Sequence, residues 1–410
     1  MMPLKHSKSV ALIIFLVALG FNEWAFRFIF PLEPIDSFLR LMTLVLDGFL
    51  LILVFAFGVS GQSINDRTNH LFQNQSRLVS ILLGSFVSYC LIMAVEFGCR
   101  YYFKQVYTAP YAEQTFWEPS AVIPDTIIGT SLPKNTLISH TLIVNDSLIY
   151  KQNYSTDTFG RRISPVLIAD TSATQFAMVT GCSFAFGYGL NERQTLSYYL
   201  DSLNAYRGYN YGISGHGTQQ TLALLENRVL SAEIEETNGV LIHLFIDDHL
   251  PRLIGSRRLI KLWASNFPYY YLDGEELKRD GSFWSGRPLL SRFYKAISQS
   301  AFIDLFDIDF PWYVSNSHMN LFGAVLENAQ IEFKKQYPEG RFLVVIAPNS
   351  KLAPRVIETL SGKNVEFLDL SKLLDKKSPE YKIHWTEGHP NGNYYLEIAT
   401  EVDAHLNPTN

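Results

Sequence analysis

Cysteine and basic charge are both scarce in this sequence. The three cysteines, Cys90, Cys99 and Cys182, are too few for a disulfide framework. The 34 Lys and Arg residues are outnumbered by 39 Asp and Glu, the net charge is −5, and no basic stripe is visible. Internal repeats and low-complexity tracts are also missing. These absences argue against a disulfide scaffold, a nucleic-acid-binding protein and a repeat protein.

Long apolar runs, by contrast, are a feature of the first hundred residues. A transmembrane helix needs about 20 mostly apolar residues. Three segments fit this requirement: 9–30, 38–59 and 78–98. The first contains Glu23 and Arg27, which are four residues apart on one helix face and can neutralise each other. We therefore predict a transmembrane region over 1–103, with the lipid bilayer as a partner.

The first apolar segment has a second interpretation. Lys5 and Lys8 precede its apolar core, as in a cleaved signal peptide, but no small-residue cleavage site follows the core. If the segment is a span, the charges of the loops set its orientation. Loop 31–39 has no Lys or Arg, whereas loop 61–77 contains two arginines. The positive-inside rule then predicts a multi-pass protein of the cell (inner) membrane with a periplasmic C-terminal domain.

The remainder of the chain divides by its pattern into a β-rich segment and an α/β domain. Residues 104–165 are predicted to form a β-rich entry segment, in which 137–149 is rich in Leu, Ile, Val and Thr and resembles a hairpin about Asn145-Asp146. Strand-like and helix-like segments then alternate over 166–410, which indicates a parallel sheet covered by helices on both faces. The predicted strands are 176–179, 209–212, 239–246, 341–347 and 365–370. An aromatic insertion at about 251–311 breaks the rhythm and is typical of a lid or substrate wall.

The first predicted strand of the sheet ends at Gly181-Cys182-Ser183. A strand that turns sharply into a helix exposes the oxygen of Ser183 at the carboxyl end of the sheet. The same turn presents the Ser183 N–H at a helix N-terminus, where negative charge is stabilised. Both properties suit a serine nucleophile. The alternative is that Ser183 only caps the helix.

Three later stretches also follow predicted strands. Loop 210–217 is glycine-rich, and an N–H from this loop could face the same oxygen that the Ser183 N–H faces. Stretch 245–249 contains Asp247, and stretch 387–391 contains a glutamate and a histidine. Open α/β sheets bind ligands at the carboxyl ends of their strands, so we expect the four stretches to share one site.

Taken together, the four stretches resemble the SGNH (GDSL-like) hydrolase family over about 170–403. The resemblance implies a flavodoxin-like three-layer fold and a Ser/His/acid mechanism on acyl esters, without a cofactor. It also implies a role for each matching position. Ser183 would be the nucleophile, His389 the base, Glu387 the acid, and Gly215 a donor to the oxyanion.

Two positions depart from the family pattern. Thr386 stands three residues before His389, where the family has Asp, whereas Glu387 stands two before it, as in relatives of the alginate O-acetylation proteins. Asp247 replaces the Asn that would donate to the oxyanion, and losing one donor typically costs roughly 10²–10³ in rate. Either Asp247 is protonated, or it turns away and His249 or a backbone group replaces it, or the enzyme is impaired.

Two further interpretations complete the expectations. Asp247, Asp248 and His249 include hard-metal ligands, but three consecutive residues of a strand cannot all face one ion, so we predict no metal. We expect a membrane-anchored serine esterase or O-acyltransferase that acts on an acyl (acetyl) ester of a surface glycan or lipid. The alternative is a non-catalytic subunit with partner proteins in a membrane complex. The Asp247 departure and three charged residues of the apolar segments keep that alternative open: Glu23, Arg27 and Asp47.

Overall fold

The structure is a computed structural model. It describes residues 40, 42–48, 50, 75–107, 111–165, 174–203, 206–375 and 377–408. The predicted span 9–30 and most of the predicted span 38–59 lie outside these residues. Two compact units divide the chain: Met1–Thr108 with Arg292–Asp309, and Ala109–Ser291 with Phe310–Asn410. The predicted insertion is therefore shared between the two units.

A 31-residue helix, α1 (Gln75–Gln105), is the main described element of the first unit and contains the third predicted span. Its buried Glu96 accepts hydrogen bonds from Ser300 Oγ (2.7 Å) and the Ala301 N–H (2.8 Å), and it pairs with Arg100. This carboxylate fastens part of the insertion to α1. Within the described residues, no helix has the length and the apolar character that a bilayer crossing requires. Membrane anchoring therefore stays a prediction.

The second unit begins with the β-rich segment. Its strands are β1 (Glu113–Glu118), β2 (Ile123–Asp125), β3 (Gly129–Ser131), β4 (Leu137–Val144) and β5 (Ser147–Ser155). An antiparallel sheet has the order β1-β4-β5, and β2 pairs with β3. Asn145 and Asp146 form the tight turn between β4 and β5, with φ of 47° and 62°. These are the left-handed values that a two-residue hairpin turn requires and that Asn and Asp tolerate.

A five-stranded sheet forms the centre of the second unit. Its strands are β6 (Gln175–Thr180), β7 (Tyr206–Asn210), β8 (Asn238–Phe245), β11 (Arg341–Ile346) and β12 (Glu366–Asp369). Their order is β12-β11-β8-β6-β7, and every neighbouring pair is parallel. The predicted α/β architecture with a parallel sheet is thus confirmed.

Helices cover both faces of this sheet, because its strands alternate between two apolar cores. In β6, Phe176 and Met178 belong to one core and Ala177 and Val179 to the other. The first core includes α4 (Thr218–Asn227), α10 (Asn316–Gln336) and α11 (Ala353–Ser361). The second core includes α3 (Leu196–Leu203) and α12 (Gly392–Leu406). Strands buried on both faces read as continuous apolar runs, which is the pattern of β6, β8 and β11.

Short elements complete the fold. The four-residue helix α2 (Ser183–Phe186) follows β6. The insertion contains α5 (His249–Ile254), α6 (Arg257–Leu262), β9 (Pro268–Asp273), β10 (Glu276–Ser282), α7 (Phe283–Gly286), α8 (Pro288–Ile297) and α9 (Ala301–Leu305). The hairpin of β9 and β10 is antiparallel.

Candidate active site

Ser183 is the first residue of helix α2, immediately after strand β6. Cys182, not Ser183, occupies the cap position, and Cys182 is fully buried in the second core. Gly181 turns the chain with a φ of 137°, and a Cβ there would lie 3.0 Å from the Leu244 carbonyl oxygen. Only glycine therefore fits this turn. Because the Ser183 hydroxyl does not cap the helix, it is available to react.

A buried arginine fixes the other end of this short helix. The Arg162 guanidinium donates to the carbonyl oxygens of Phe186 (2.8 Å), Gly187 (2.6 Å) and Leu190 (2.7 Å). Its side chain is 1% exposed, and burial lowers its pKa to about 10, so Arg162 stays charged at neutral pH. A cation suits the unpaired carbonyls at a helix C-terminus. Arg162 thus holds the turn that carries Ser183.

Ser183, His389 and Glu387 form a continuous hydrogen-bonded chain. Ser183 Oγ lies 2.8 Å from His389 Nε2, and His389 Nδ1 lies 2.8 Å from Glu387 Oε1. Glu387 can only accept, so His389 Nδ1 carries the proton and Nε2 accepts from the serine hydroxyl. This tautomer is the one that a general base acting on serine requires. The three side chains come from opposite ends of the α/β domain, 206 positions apart in the case of Ser183 and His389.

The environment of Glu387 keeps it ionised. Burial alone would raise its pKa, but the hydrogen bonds from His389 and Gly388 and the charge of His389 outweigh burial and lower the pKa below its ordinary value. An anion beside Nδ1 can stabilise the imidazolium that forms when His389 takes a proton. Thr386, at the position of the family's Asp, instead forms a 2.8 Å hydrogen bond with His384 Nδ1. Glu387 is therefore the acid that contacts His389.

Gly215 lies beside Ser183 in the same cavity. The Ile213 N–H donates to the Gly181 carbonyl (3.2 Å), which holds loop 211–217 against the serine turn. Gly215 has a φ of 86°, and a Cβ there would be 3.3 Å from the Trp263 ring. Among the described residues, no acceptor takes the N–H of Ser183 or of Gly215. Both donors remain available for an oxyanion.

Asp247 lines the cavity, but its carboxylate accepts hydrogen bonds from the segment before helix α11. Its carboxylate accepts from Ser350 Oγ (2.5 Å) and from the N–H groups of Lys351 (2.8 Å) and Leu352 (3.4 Å), just before helix α11. A carboxylate with these partners acts as an acceptor and offers no hydrogen to an oxyanion. Of the three possibilities open from the sequence, the structure shows the side chain engaged elsewhere.

We expect Asp247→Asn to lower stability by about 1–2 kcal/mol and not to raise activity. The amide NH₂ would face a hydroxyl or N–H that now donates to the half-buried carboxylate, and a donor left without an acceptor there costs about this much. Denaturant unfolding and ester hydrolysis measure the two effects. Asp248→Asn is the matched control for stability, because the Asp248 side chain is 72% exposed and only loosely paired with Arg252 at 3.7 Å. A rise in activity of tenfold or more on Asp247→Asn would contradict the anchoring role.

His249 does not replace the missing donor. The ring is fully buried, packs against His243 with centroids 5.1 Å apart, and has no hydrogen-bond partner for either nitrogen among the described residues. Asp248 points to solvent and Asp247 to Ser350, so the three consecutive residues diverge. The described part of the chain contains no group of three His, Cys, Asp or Glu side chains placed to hold a metal ion.

Three buried histidines should make the stability of the folded protein sensitive to mild acid. Burial lowers the pKa of His216 and His243 to about 3 and that of His249 well below its ordinary value. These rings stay neutral in the folded protein but take up protons on unfolding below about pH 6.5, so stability is full above that pH and falls as pH decreases towards 3.

Lowering the pH from 7.5 to 5.5 should reduce the free energy of unfolding by about 1.4 kcal/mol for each of these histidines, or by roughly 4 kcal/mol for all three. Urea unfolding at the two pH values measures the difference. His243→Gln should remove about 1.4 kcal/mol of it, since the amide does not titrate. Equal free energies of unfolding at both pH values would contradict this prediction. They would show that the rings take up protons in the folded protein as they do in the unfolded chain.

A cavity of about 680 Å³ opens over Ser183, Gly215 and His389. Its walls come from three regions: Trp117 and Thr130 of the β-rich segment, Trp263 and Phe267 of the insertion, and Asn349 and Ser350 after β11. The insertion thus supplies part of the wall. The β-rich segment, for which the sequence analysis predicts no role in the site, supplies another part. Nothing in the order of residues marks Trp117 as a neighbour of Ser183. The paired arginines before β6 were the only sequence signal for Arg162.

No family model matches the sequence, and no curated protein matches it. Among solved structures, the chain is similar to a protein described as lipolytic and of the G-D-S-L family from Desulfitobacterium hafniense DCB-2. The identity is 12%, the TM-score is 0.31, and 56% of this chain and 97% of that chain are covered. It is also similar to a carbohydrate esterase, with 12% identity, a TM-score of 0.33 and coverage of 73% and 98%. These values are too low to bear on activity.

Proposed function

We propose that the protein is a serine hydrolase or acyltransferase of the SGNH type, acting on acyl esters. The observation that carries the proposal is the chain of 2.8 Å hydrogen bonds from Ser183 through His389 to Glu387. The sequence resemblance assigns the same three residues independently. A serine, a base and an orienting acid in this order activate a hydroxyl for attack on a carbonyl.

The reaction follows from these contacts. Ser183 Oγ attacks the ester carbonyl while His389 Nε2 takes the hydroxyl proton, and the N–H groups of Ser183 and Gly215 stabilise the oxyanion. His389 then gives the proton to the leaving alcohol, and the acyl group stays on Ser183. In the second step, water or a sugar hydroxyl loses a proton to His389 and takes the acyl group, and His389 returns this proton to Ser183 Oγ as the acyl–serine bond breaks. Hydrolysis and transfer differ only in this acceptor.

The cavity walls favour an acylated glycan over an acyl lipid. Asp248 and Arg252 line the cavity together with Asn349, Ser350 and the indole rings of Trp117 and Trp263. A sugar presents hydroxyls to charged and amide groups and C–H faces to aromatic rings. A long acyl chain would take the Asp248 carboxylate, which is 72% exposed and only loosely paired with Arg252, out of water, and this is costly. We infer a short acyl group, such as acetyl, on a glycan at the cell surface.

A fluorophosphonate serine probe tests the proposal directly. The probe should label the full-length protein in detergent, and Ser183→Ala should abolish labelling, because phosphonylation needs the activated hydroxyl. Ser214→Ala is the matched control, since Ser214 lines the same cavity without contacting His389. A wild-type protein that resists the probe while folded would favour a non-catalytic role.

The location of the domain is also a proposal. The three apolar segments and the arginines of loop 61–77 support attachment to the inner membrane, with the domain on the outer side. A reporter fused after Asn410 should be active only outside the cytoplasm. Activity of the fusion inside the cytoplasm would overturn the orientation.

A further inference from the structure

An aromatic stack lies directly behind His389. The ring of Tyr188 is stacked on the His389 imidazole, with centroids 4.3 Å apart and planes 21° apart. Tyr188 follows helix α2 by two residues, so it comes from the serine turn and not from the segment that carries His389. The stack therefore joins the two halves of the site in addition to the serine–histidine hydrogen bond.

Two residues of the β-rich segment, Trp117 and His140, also contact Tyr188. Trp117 and His140 stack on each other at 3.7 Å and 9°, and each meets Tyr188 at a steep angle, at 5.4 Å and 4.5 Å. The His140 Nδ1 forms a 2.9 Å hydrogen bond with the Tyr154 hydroxyl. Burial lowers the pKa of His140 to about 4, so this brace is neutral and does not repel a charged His389.

Hydrogen bonds also hold the backbone around Tyr188 in place. The Gly189 N–H donates to the Tyr154 hydroxyl (2.9 Å), and Arg162 binds the carbonyls of Gly187 and Leu190. Burial raises the pKa of Tyr188, so its phenol is neutral when His389 becomes positive. A fixed neutral ring within 6 Å of a cation attracts it by about 0.5–2 kcal/mol.

We propose that Tyr188 is a positioning residue for His389, held in place by Trp117 and His140 of the β-rich segment. The ring sets the plane of the imidazole in the resting site and stabilises the imidazolium formed during attack. The β-rich segment is in this sense part of the active centre. The inference rests on the proposed function for its effect on catalysis, but the stack itself can be tested without turnover.

The test compares Tyr188→Phe with Tyr188→Leu in the full-length protein. Phe keeps the ring, so kcat for an acetyl ester should stay within about twofold of wild type. Leu removes the ring, so kcat should fall about 5- to 30-fold with KM unchanged, the equivalent of about 1–2 kcal/mol of cation–π attraction. Tyr313→Leu, at a tyrosine that is 74% exposed, is the control for loss of an aromatic ring.

A second readout separates the stack from catalysis. With ¹³C-labelled histidine, the ring protons of His389, identified by His389→Gln, should be shielded by Tyr188. They should shift downfield in Tyr188→Leu and not in Tyr188→Phe, also on a Ser183→Ala background. Unchanged kcat in Tyr188→Leu, an effect on KM alone, or equal losses in both variants would overturn the inference. If wild type is inactive but the shift appears, the proposed function fails and the stack stands.

Discussion

We expect Ser183→Ala to lower kcat for ester hydrolysis by roughly 10⁶-fold, to the residual rate that binding and the oxyanion donors supply. In the described part of the chain, Ser183 Oγ is the hydroxyl that contacts His389 Nε2, at 2.8 Å. His389→Gln should cause a loss of similar size, because serine and base act as one unit and each is useless without the other. The double variant should therefore be little worse than either single variant.

The measurement is kcat on an acetylated oligosaccharide with release of acetate, supported by the unfolding midpoint of each variant. Ser214→Ala should keep nearly full activity. Ser214 lines the cavity, but the hydrogen-bond partners of the His389 ring are Ser183 and Glu387. Turnover by Ser183→Ala within tenfold of wild type would place the nucleophile elsewhere. Additive losses in the double variant would show that the two residues do not work in one step.

The second large effect belongs to Glu387. We expect Glu387→Gln to lower kcat about 10⁴-fold while the fold is kept, because an amide can present its NH₂ to His389 and favour the wrong tautomer. The lost anion would also leave the imidazolium without its partner at 2.8 Å. Glu387→Asp should lose less, since the carboxylate is kept and only one methylene of reach is removed.

The control for Glu387 is Glu380→Gln, a neighbouring glutamate whose side chain does not contact His389. Since the pKa of Glu387 lies below its ordinary value, the acid is ionised at neutral pH, and activity near neutrality should not follow its titration. A Glu387→Gln variant with wild-type kcat would assign the orienting role to another group.

The α/β fold could be predicted from the sequence because its strands are buried on both faces. Such strands appear as apolar runs, and the structure places each of the five within three residues of its predicted position. The carboxyl ends of parallel strands meet at one edge, so Ser183, Gly215 and His389 could be expected together before any contact was known. The predicted hairpin at Asn145-Asp146 followed from turn chemistry in the same local way.

Contacts between distant segments could not be predicted in this way. Asp247 is a departure from a family pattern in the sequence, but in the fold it is the acceptor for Ser350 and two N–H groups about a hundred residues later. The brace of Trp117 and His140 behind Tyr188 likewise joins segments that no periodicity relates. The sequence by itself determined the sheet, the serine turn and the three residues proposed to react, because each depends on local pattern and strand order. Only the tertiary structure decided which side chains orient them, because such contacts depend on how loops of different length pack over the sheet edge.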